Sequence, residues 1–569
     1  MASKEKQILA EIVEKCEDFQ SRQSESLAEI SGFTDLYKVK PPKRQDNTFS
    51  NPRQTEFFRA ASAVGTMAFR MMTSSDPNFA LYPVELGTTG KQIDTLRHVF
   101  LAQHKWARYR ENLLRACRFA PVYGTVICQE EYRVMGISRY GRRIPVTTMV
   151  PRVLDQVMFD AGTTDIHSAE WIATSDVTGN SDLMRLAQEA KELKAPWNPK
   201  ALEAAANDKS EFDKTNWRAL ERIRKHGYSL DDALSKKREL IFYSGKLDCM
   251  NDGVEYIAVV INRKYLVRFH ANRLQHGRRP FRVAKWIDFD QVNGLGMGHI
   301  LGGTHRAMDA HRQKEQDTVT FDAYGMFGMV KDSVASEDAV IAPLKFIPMD
   351  KPGDLWRIPG NTQALNSMLT LDDVLKQEFR AASLGTDTLQ AIVTEGATAT
   401  GSSLAQNEGV RALSVIAEQM AESLVREHIE SQHANNGENI DAPFNINAAG
   451  FAKMIYPRDV KIDLEIEAKT TTDKDFSPKR LQDLQALLAV LVSTKSQHPD
   501  QMAISILPIV KEMAILLNVD PDKVILPPNP MMGMGLGAGE MMGLGTGMES
   551  APMDGPGPVN TPVGPTLAS

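Results

Sequence analysis

The sequence contains few cysteines and no long apolar segment. Its four cysteines, Cys16, Cys117, Cys128 and Cys249, lie far apart and form no CxxC pair. They are interpreted as reduced core thiols rather than as disulfides or metal ligands. The longest apolar run, at 486–492, is far too short to cross a bilayer. The first residues, MASKEKQILAEIVEKCEDF, are charged and amphipathic, so no signal peptide is expected and assembly from the cytoplasm is predicted.

A complete phosphate-binding loop is also missing. Gly396 and Gly401 have the GxxxxG spacing of such a loop, but Ser402 follows where the loop requires a lysine. The nearby charges, Asp387 and Glu395, are acidic and would repel a phosphate group. ATP binding is therefore not expected at this loop.

Other catalytic signatures are absent from the sequence. No HExxH or GxSxG motif occurs, and GLGMGH at 294–299 departs from the GxGxxG rule at His299. We interpret GLGMGH as a helix start or a close backbone contact. The adjacent Asp372 and Asp373 are predicted to begin a helix, where the helix dipole stabilises acidic side chains. The sequence therefore predicts no enzyme, no cofactor and no metal site.

The composition is that of a globular chain with several domains: 569 residues, 42% hydrophobic and 24% charged. Apolar residues recur at helical spacing in 4–37, 53–73, 91–120, 181–228, 297–324, 365–383, 402–432, 477–494 and 500–517. Alternating patterns predict strands at 125–135, 143–150, 155–160, 168–178, 239–248, 254–262, 264–271, 281–289 and 460–468. The predicted fold class is α+β, largely helical.

The end of the chain differs in composition from the rest. From Pro527 it consists mainly of Met, Gly and Pro with very few charges. Such a segment buries too little side chain to offset its ordering entropy, so 527–569 is predicted to be a disordered tail. An alternative interpretation is a Met-rich segment that docks on a partner.

Charge is unevenly distributed along the chain. The whole chain has a net charge of -6, whereas 297–430 contains 11 Lys and Arg against 19 Asp and Glu and therefore has a net charge of -8. The loop 384–403 has no basic residue. An acidic segment of this kind is not expected to bind a phosphate backbone tightly.

By contrast, 262–286 contains eight basic residues and no acidic one. These residues are Arg263, Lys264, Arg268, Arg273, Arg278, Arg279, Arg282 and Lys285. The run is either a solvated strand face or a patch for nucleic acid or for an acidic neighbouring subunit.

The order of the predicted elements resembles that of a bacteriophage portal protein, the head-to-tail connector of tailed phages. VMFDAGTTDIHSAEWIA at 157–173 is similar to the strand-turn-strand of the portal wing. Five further segments then follow in the order that the family has. They are GLGMGHILGGTHRAMDAHRQ, a short β-containing excursion, LDDVLKQEFRAAS, a small-residue loop and TGSSLAQNEGVRALSVIAEQM. The resemblance covers roughly residues 50–520 and rests on the order of these segments rather than on any single motif. The size of the chain and its Gly- and Met-rich C-terminal segment are similar to those of portal proteins from short-tailed phages.

The resemblance implies a portal-like division of the chain. The implied segments are an N-terminal helical arm (1–50), an α+β wing (51–296), stem helix 1 (297–324), a clip (325–358), stem helix 2 (359–383), a channel loop (384–403), a long helix and wing return (404–470), crown helices (471–526) and the disordered tail (527–569). No long heptad pattern follows, so an extended barrel crown is not expected.

The resemblance also implies a function and a set of partners. Portal proteins form a ring of twelve identical subunits around a channel for double-stranded DNA at one capsid vertex. The implied partners are further copies of the chain, the major capsid protein, a scaffolding protein, the terminase motor on the clip, and later the tail or adaptor proteins. DNA contact would carry no sequence specificity, no membrane is involved, and the implied location is the virion, after assembly in the host cytoplasm.

Two groups of candidate site residues follow from the resemblance. In the channel loop, small polar residues and a bulkier centre are candidates for DNA contact: Thr386, Gln390, Ile392, Val393, Thr394, Gly396, Thr398, Thr400 and Gly401. In the clip, the candidates for contact with DNA or the motor are Lys331, Lys345, Lys351 and Arg357. The alternatives are an ordinary disordered surface connection for the loop and plain surface positions for the clip residues.

Two rival functions stay open at this point. One is a capsid-associated scaffold or internal virion protein that never forms a ring. The other is an enzyme with an active site outside the known motifs, which would require a titratable cluster in a pocket. Ring formation separates the first rival from the portal interpretation.

Overall fold

The computed structural model describes most of the chain up to residue 470. The described residues are 2–40, 54–75, 77–84, 90–136, 143–160, 162–193, 197–208, 237–272, 279–289, 292–324, 326–329, 355–358, 362–383, 412–440, 443–448 and 451–470. The chain divides into a unit of residues 1–482 and one of residues 483–569, and every described residue belongs to the first. The predicted crown helices and the Met-rich tail therefore lie outside the described residues.

The helices occupy most of the positions that hydrophobic periodicity predicted. They are α1 (Ala2–Arg22), α2 (Ser24–Tyr37), α3 (Glu56–Met72), α4 (Gly90–Trp106), α5 (Tyr109–Tyr123), α6 (Asn180–Leu193), α7 (Pro199–Asn207), α8 (Met297–Tyr324), α9 (Thr362–Ala382), α10 (412–439) and α11 (Pro457–Val460). One turn of α10, Glu422–Arg426, is a π turn. None of the described helices combines the length and apolarity needed to cross a membrane.

Within the described residues the strands form five antiparallel sheets. They are β1 (Phe79–Pro83), β2 (Thr125–Gly136), β3 (Arg143–Arg152), β4 (Val157–Phe159), β5 (Trp171–Gly179), β6 (Lys237–Lys246), β7 (Glu255–Ile261), β8 (Tyr265–Ala271), β9 (Phe281–Lys285), β10 (Met326–Met329), β11 (Leu355–Ile358), β12 (Phe444–Ala448), β13 (Phe451–Ile455) and β14 (Leu464–Ala468). Their order is β4-β5-β6-β7-β8 in the largest sheet, β3-β2-β9 in the next, and β1-β14, β10-β11 and β12-β13 in three pairs. This mixture of helices and strands confirms the α+β class.

The first core lies between the N-terminal helices and the five-stranded sheet. Helix α1 buries Ile8, Ile12 and Cys16 at helical spacing, and α2 buries Phe33 in the same way. These side chains join the apolar strand residues of the sheet, including the fully buried Tyr243. The N-terminal helices are therefore an integral layer of the fold.

The second core is built by helices that lie far apart in sequence. Residues of α3, α4, α5 and α10 pack together with the three-stranded sheet and the β1–β14 pair. The apolar face predicted for the 402–432 helix is confirmed where it is described, because Leu413, Met420, Leu424 and Ile429 are buried in this core. Packing of such a face stabilises a helix more than its intrinsic propensity does.

The glycines of GLGMGH make close backbone contacts. Gly124 ends α5 with a φ of +81°, and a Cβ added there would lie 2.0 Å from the carbonyl oxygen of Gly294. A Cβ on Gly296 would lie 2.3 Å from the backbone nitrogen of Gly124. Only glycine allows this approach between the end of α5 and the start of α8. The predicted close backbone contact is therefore confirmed.

Three local expectations are wrong. The helix predicted over 91–120 is broken at Arg108, whose φ of +51° is left-handed, so two helices form instead of one. The helical pattern over 181–228 gives two separate helices, α6 and α7, in its described part. The hairpin of β12 and β13 was not predicted, because these strands are short and their sequence alternates weakly.

Candidate functional site

Helices α8 and α9 form an antiparallel hairpin. The ring of Phe379 in α9 lies 5.8 Å from that of His305 near the start of α8. Towards the other end, Thr318 Oγ1 lies 3.9 Å from the sulfur of Met368. Beyond that end β10 pairs with β11. With 28 residues, α8 is about 42 Å long at 1.5 Å per residue.

Acidic side chains are held inside this hairpin by defined partners. Asp372 is 4% exposed and pairs with Lys376 at 2.6 Å. Asp372 lies in the middle of α9, so the expectation that it begins a helix is wrong. Asp309 of α8 is also buried and accepts a hydrogen bond of 3.0 Å from the backbone of Gln54. The Asp309 contact joins the hairpin to the segment before α3, whereas the Asp372 pair lies within α9 itself.

The outer side of α9 exposes apolar residues. Leu369, Leu371 and Val374 are 42%, 43% and 43% exposed, and Val319 of α8 is 48% exposed. Large apolar side chains that recur on one exposed helix are typical of contact surfaces. A single copy of the chain leaves them uncovered.

The predicted channel and clip residues fall mainly outside the described part of the chain. This holds for all nine channel-loop candidates, which lie between the end of α9 and residue 412, and for Lys331, Lys345 and Lys351. Arg357 lies on β11, where it is opposite Phe327 of β10. The excursion 325–358 was expected to contain β-structure, and its described parts, 326–329 and 355–358, are paired strands.

The basic residues of 262–286 do not form one exposed basic surface. Arg282 is 0% exposed and pairs with Glu130 at 2.8 Å. Arg279 is 4% exposed, pairs with Glu255 and donates a hydrogen bond to the carbonyl of Ile166. The sequence showed no acid within the run, but the fold brings acidic partners from other strands. The expectation of a basic patch or solvated strand face is therefore wrong for these two arginines.

The other basic residues of this run have separate surroundings. Arg263 pairs with Glu17 of α1 at 2.7 Å and with Glu239 at 3.2 Å. Arg268 lies over the ring of Trp197 at 5.3 Å, and burial lowers its pKa. Lys285 pairs with Asp288 at 2.7 Å and Lys264 is exposed, whereas Arg273 and Arg278 lie outside the described residues. Of these described residues, Arg263 joins the five-stranded sheet to α1.

A buried polar network joins strands and helices across the second core. Glu130 of β2 is 2% exposed and contacts both Arg282 and His428, whose Nδ1 lies 2.6 Å from Glu130 Oε1. Burial favours the neutral acid, but the charges of Arg282 and His428 outweigh it and lower the pKa of Glu130. The ring of His428 stacks on Tyr109, with centroids 4.9 Å apart.

The network continues through amide side chains. Nε2 of His104 lies 3.0 Å from Oε1 of Gln432. Nε2 of Gln432 donates a hydrogen bond of 2.7 Å to Oε1 of Gln103. Gln103 in turn donates a hydrogen bond of 2.7 Å to Asn436. Burial lowers the pKa of His104 to about 3, so its ring is neutral in the folded protein.

This cluster is not accessible to a substrate in the structure. Each of Glu130, Arg282, His428, His104 and Tyr109 is at most 8% exposed. Hydrogen bonds between buried side chains of different elements help to hold those elements in one arrangement. Among the described residues no group of His, Cys, Asp and Glu has the arrangement of a metal site. Sequence reasoning missed the network because its members lie on elements separated by hundreds of residues.

Comparison with known proteins identifies no relative. Neither a protein-family model nor a curated protein matches the chain. The function is therefore proposed from the chain's own residues and from the resemblance in the order of its elements.

Proposed function

We propose that this protein is the subunit of a portal ring, which forms the channel for packaging and ejection of double-stranded DNA at one capsid vertex. The observation that carries the proposal is the antiparallel hairpin of α8 and α9, whose connection begins and ends with the paired strands β10 and β11. A small-residue segment and the long helix α10 follow it in the chain. This is the order of stem, clip, stem, loop and helix that portal subunits have.

The exposed apolar residues of the hairpin support contact with further copies of the chain. Leu371 and Val374 are three residues apart and therefore lie on the same side of α9. In a ring each copy contacts two neighbouring copies, one on each side. Closure of the ring would therefore bury exposed apolar side chains such as Leu371 and Val374 against a neighbouring copy. The same helices would line or surround the channel.

The charge of the region supports weak contact with DNA. Residues 297–430 have a net charge of -8, and the loop 384–403 has no basic residue. Each phosphate neutralised by a Lys or Arg adds affinity through counterion release, which would act as friction on moving DNA. Hydroxyl and amide groups of the channel loop would contact the phosphate backbone of the DNA without this friction and without recognising its base sequence.

The proposed function places the protein in the virion with several partners. The major capsid protein and the scaffolding protein contact the ring during assembly, and the terminase motor docks on the clip during packaging. Tail or adaptor proteins replace the motor afterwards. The ring itself catalyses no reaction, requires no cofactor and involves no membrane.

Ring formation tests the proposal directly. Native mass spectrometry and electron microscopy of the purified 63.2 kDa chain, alone and with its scaffolding protein, are expected to show a closed ring with a central hole. A Leu371→Glu, Val374→Glu variant should assemble poorly, whereas Met184→Glu, at a similarly exposed site on α6, should assemble normally. A chain that stays monomeric or forms a compact dimer under both conditions would contradict the portal function.

The channel loop has a test of its own. Replacing Gly396 and Gly401 with proline should leave ring assembly unchanged, because residues 384–403 follow α9 in the sequence and are not part of the hairpin helices. It should reduce DNA packaging, because proline restricts a loop that has to adapt to moving DNA. Normal packaging in this variant would count against a channel role for the loop.

A further inference from the structure

The solvent-facing side of α5 carries a row of arginines. Arg108, Arg110, Arg115 and Arg118 are exposed, whereas the opposite side of the helix is buried in the second core. Helical spacing places Arg115 and Arg118 about 60° apart on the side away from the core, and the acidic Glu111 lies between them. Arg108 is the residue just before the helix, and Arg110 lies at the edge of this side, next to α3. From the first to the last arginine the row is about 15 Å long.

Neighbouring helices extend the row into a wider basic surface. The backbone of Arg108 bonds to the carbonyl of Lys105 at 3.4 Å, which keeps exposed Lys105 next to the start of α5. The guanidinium of Arg110 lies 5.8 Å from the ring centroid of Phe69 in α3. That contact brings the last turn of α3, with exposed Arg70, beside α5. We call these six residues the α5 basic face.

The arginines of the face have no carboxylate partner. Within the part of the chain that the structure describes, no ion pair involves Arg108, Arg115 or Arg118. This contrasts with Arg279 and Arg282, which are paired with buried or half-buried glutamates. Unpaired cations that converge on one face create a positive potential that attracts a polyanion.

We propose that the α5 basic face binds the phosphate backbone of double-stranded DNA. Its cations are mostly arginines, whose planar fork matches phosphate oxygens in a bidentate way. B-DNA carries one negative charge per about 1.7 Å of axis, so a row of about 15 Å meets several phosphates. The contact reads no sequence, since it reaches phosphates rather than base edges.

Nucleic acid fits this face better than an acidic protein does. Protein interfaces have a core of apolar and aromatic side chains. Helix α5 is described in full, and none of the exposed large apolar residues lies on it. The face also belongs to each single copy, so the inference goes beyond the channel of the proposed function and does not depend on ring closure.

Fluorescence anisotropy with the full-length chain tests the inference. The probe is a labelled random-sequence duplex of about 30 bp, titrated at NaCl concentrations of about 50 to 200 mM. The test variant is Arg108→Gln, Arg115→Gln, Arg118→Gln. The matched control, Lys6→Gln, Lys200→Gln, Lys264→Gln, removes three exposed charges from other surfaces. Thermal melts check that both variants are folded.

The expected result is a selective loss in the arginine variant. Its affinity for the duplex should fall about tenfold or more, and the slope of log K against log salt should decrease by about 2 to 3. The control should keep the slope of the unchanged chain. Equal affinity and slope in the arginine variant, or no binding by the unchanged chain at the lowest salt, would overturn the inference.

Two further measurements separate the alternatives. In one measurement poly-glutamate replaces the duplex. If poly-glutamate binds as tightly as the duplex and the arginine variant loses this binding, the face is a site for acidic proteins and the nucleic-acid assignment is overturned. Native mass spectrometry of the same samples reports ring formation independently. Arginine-dependent DNA binding by a chain that never forms rings would contradict the proposed function and leave the present inference standing.

Discussion

Tyr109 donates a hydrogen bond of 2.9 Å to the backbone carbonyl of Leu424, although 315 residues separate the two. Leu424 lies within the π turn Glu422–Arg426 of α10. A π turn widens the helix and disturbs the regular hydrogen-bond ladder, so a carbonyl there gains from an outside partner. The hydroxyl of Tyr109 is that partner, and its ring also stacks on His428. This contact fixes α5 against α10.

Replacing Tyr109 with phenylalanine should therefore destabilise the fold. The carbonyl of Leu424 would stay buried without the hydroxyl, which typically costs about 1–3 kcal/mol of the free energy of unfolding. Urea unfolding followed by circular dichroism measures the change. Tyr456→Phe is the control, because Tyr456 is 42% exposed. Equal stability of the two variants would show that the hydrogen bond contributes nothing.

The buried pair of Arg282 and Glu130 provides a second prediction. Arg282→Met should lower the free energy of unfolding by about 3–5 kcal/mol, because Glu130 would be left buried and unpaired. The double variant Glu130→Leu, Arg282→Met should recover part of that loss, since neither charge is then buried alone. Urea unfolding of both variants measures this.

An exposed pair is the matched control for that experiment. Arg22 pairs with Asp18 at 2.8 Å, with side chains 66% and 52% exposed. Arg22→Met should change the free energy of unfolding by about 0–1 kcal/mol. If Arg22→Met lowered the free energy of unfolding as much as Arg282→Met does, burial of the pair would not explain the loss in Arg282→Met.

The contact between Gly124 and Gly296 makes a prediction about backbone approach. Gly296→Ala would place a Cβ 2.3 Å from the backbone nitrogen of Gly124, so the end of α5 or the start of α8 must shift. We expect a loss of more than about 3 kcal/mol in the free energy of unfolding. Thermal unfolding with calorimetry is the measurement.

Gly303, in α8 a few residues after Gly296, is the control. A Cβ on Gly303 meets no atom within 4 Å, so Gly303→Ala should stabilise the chain by about 0.5–1 kcal/mol through helix propensity. If Gly296→Ala behaved like Gly303→Ala, the glycine requirement of GLGMGH would be refuted.

Burial of His104 predicts a loss of stability in acid. Its pKa is about 3 in the folded chain, against an ordinary value of 6.5 when unfolded. Below pH 6.5 the unfolded chain therefore binds a proton that the folded chain does not bind. Stability from this residue is full above pH 6.5 and falls as the pH drops towards 3, by up to about 1.4 kcal/mol per pH unit.

His104→Gln should reduce this acid sensitivity. Glutamine keeps a hydrogen-bonding side chain towards Gln432 but binds no proton, so stability should depend less on pH between about 6.5 and 4. Urea unfolding at several pH values compares the variant with the unchanged chain. Identical slopes for the two proteins would contradict the assignment.

Much of the secondary structure was predictable from the sequence. The periodicity over 297–324 predicted the bounds of α8, and alternation predicted closely the five strands β4 to β8, though not their pairing. These patterns report which side of a single helix or strand is buried, and the residues of that element alone are enough to show it. The break at Arg108 was not predictable in this way, because apolar periodicity does not report the left-handed φ of a single residue.

The candidate sites were less predictable. The basic run of 262–286 contained no acid in sequence, yet Glu130 and Glu255 arrive from other strands and pair with its arginines. The arginines of α5 lie at helical spacing in RYRENLLRACRF, which is a signal that sequence reasoning overlooked. Whether a charge is exposed depends on partners that are distant in the chain.

The sequence by itself determined the α+β class and the positions of α8 and α9 in the chain, because local periodicity is a property of short segments. The need for glycine at Gly296 depends on its contact with Gly124, which only the tertiary structure shows. Only the tertiary structure decided which charges are buried in pairs and which remain free. Arg282 and Arg118 are the same residue type, yet one is enclosed beside Glu130 and the other faces solvent. The cost of burying a charge depends on the groups around it, and the fold brings those groups together from distant parts of the chain.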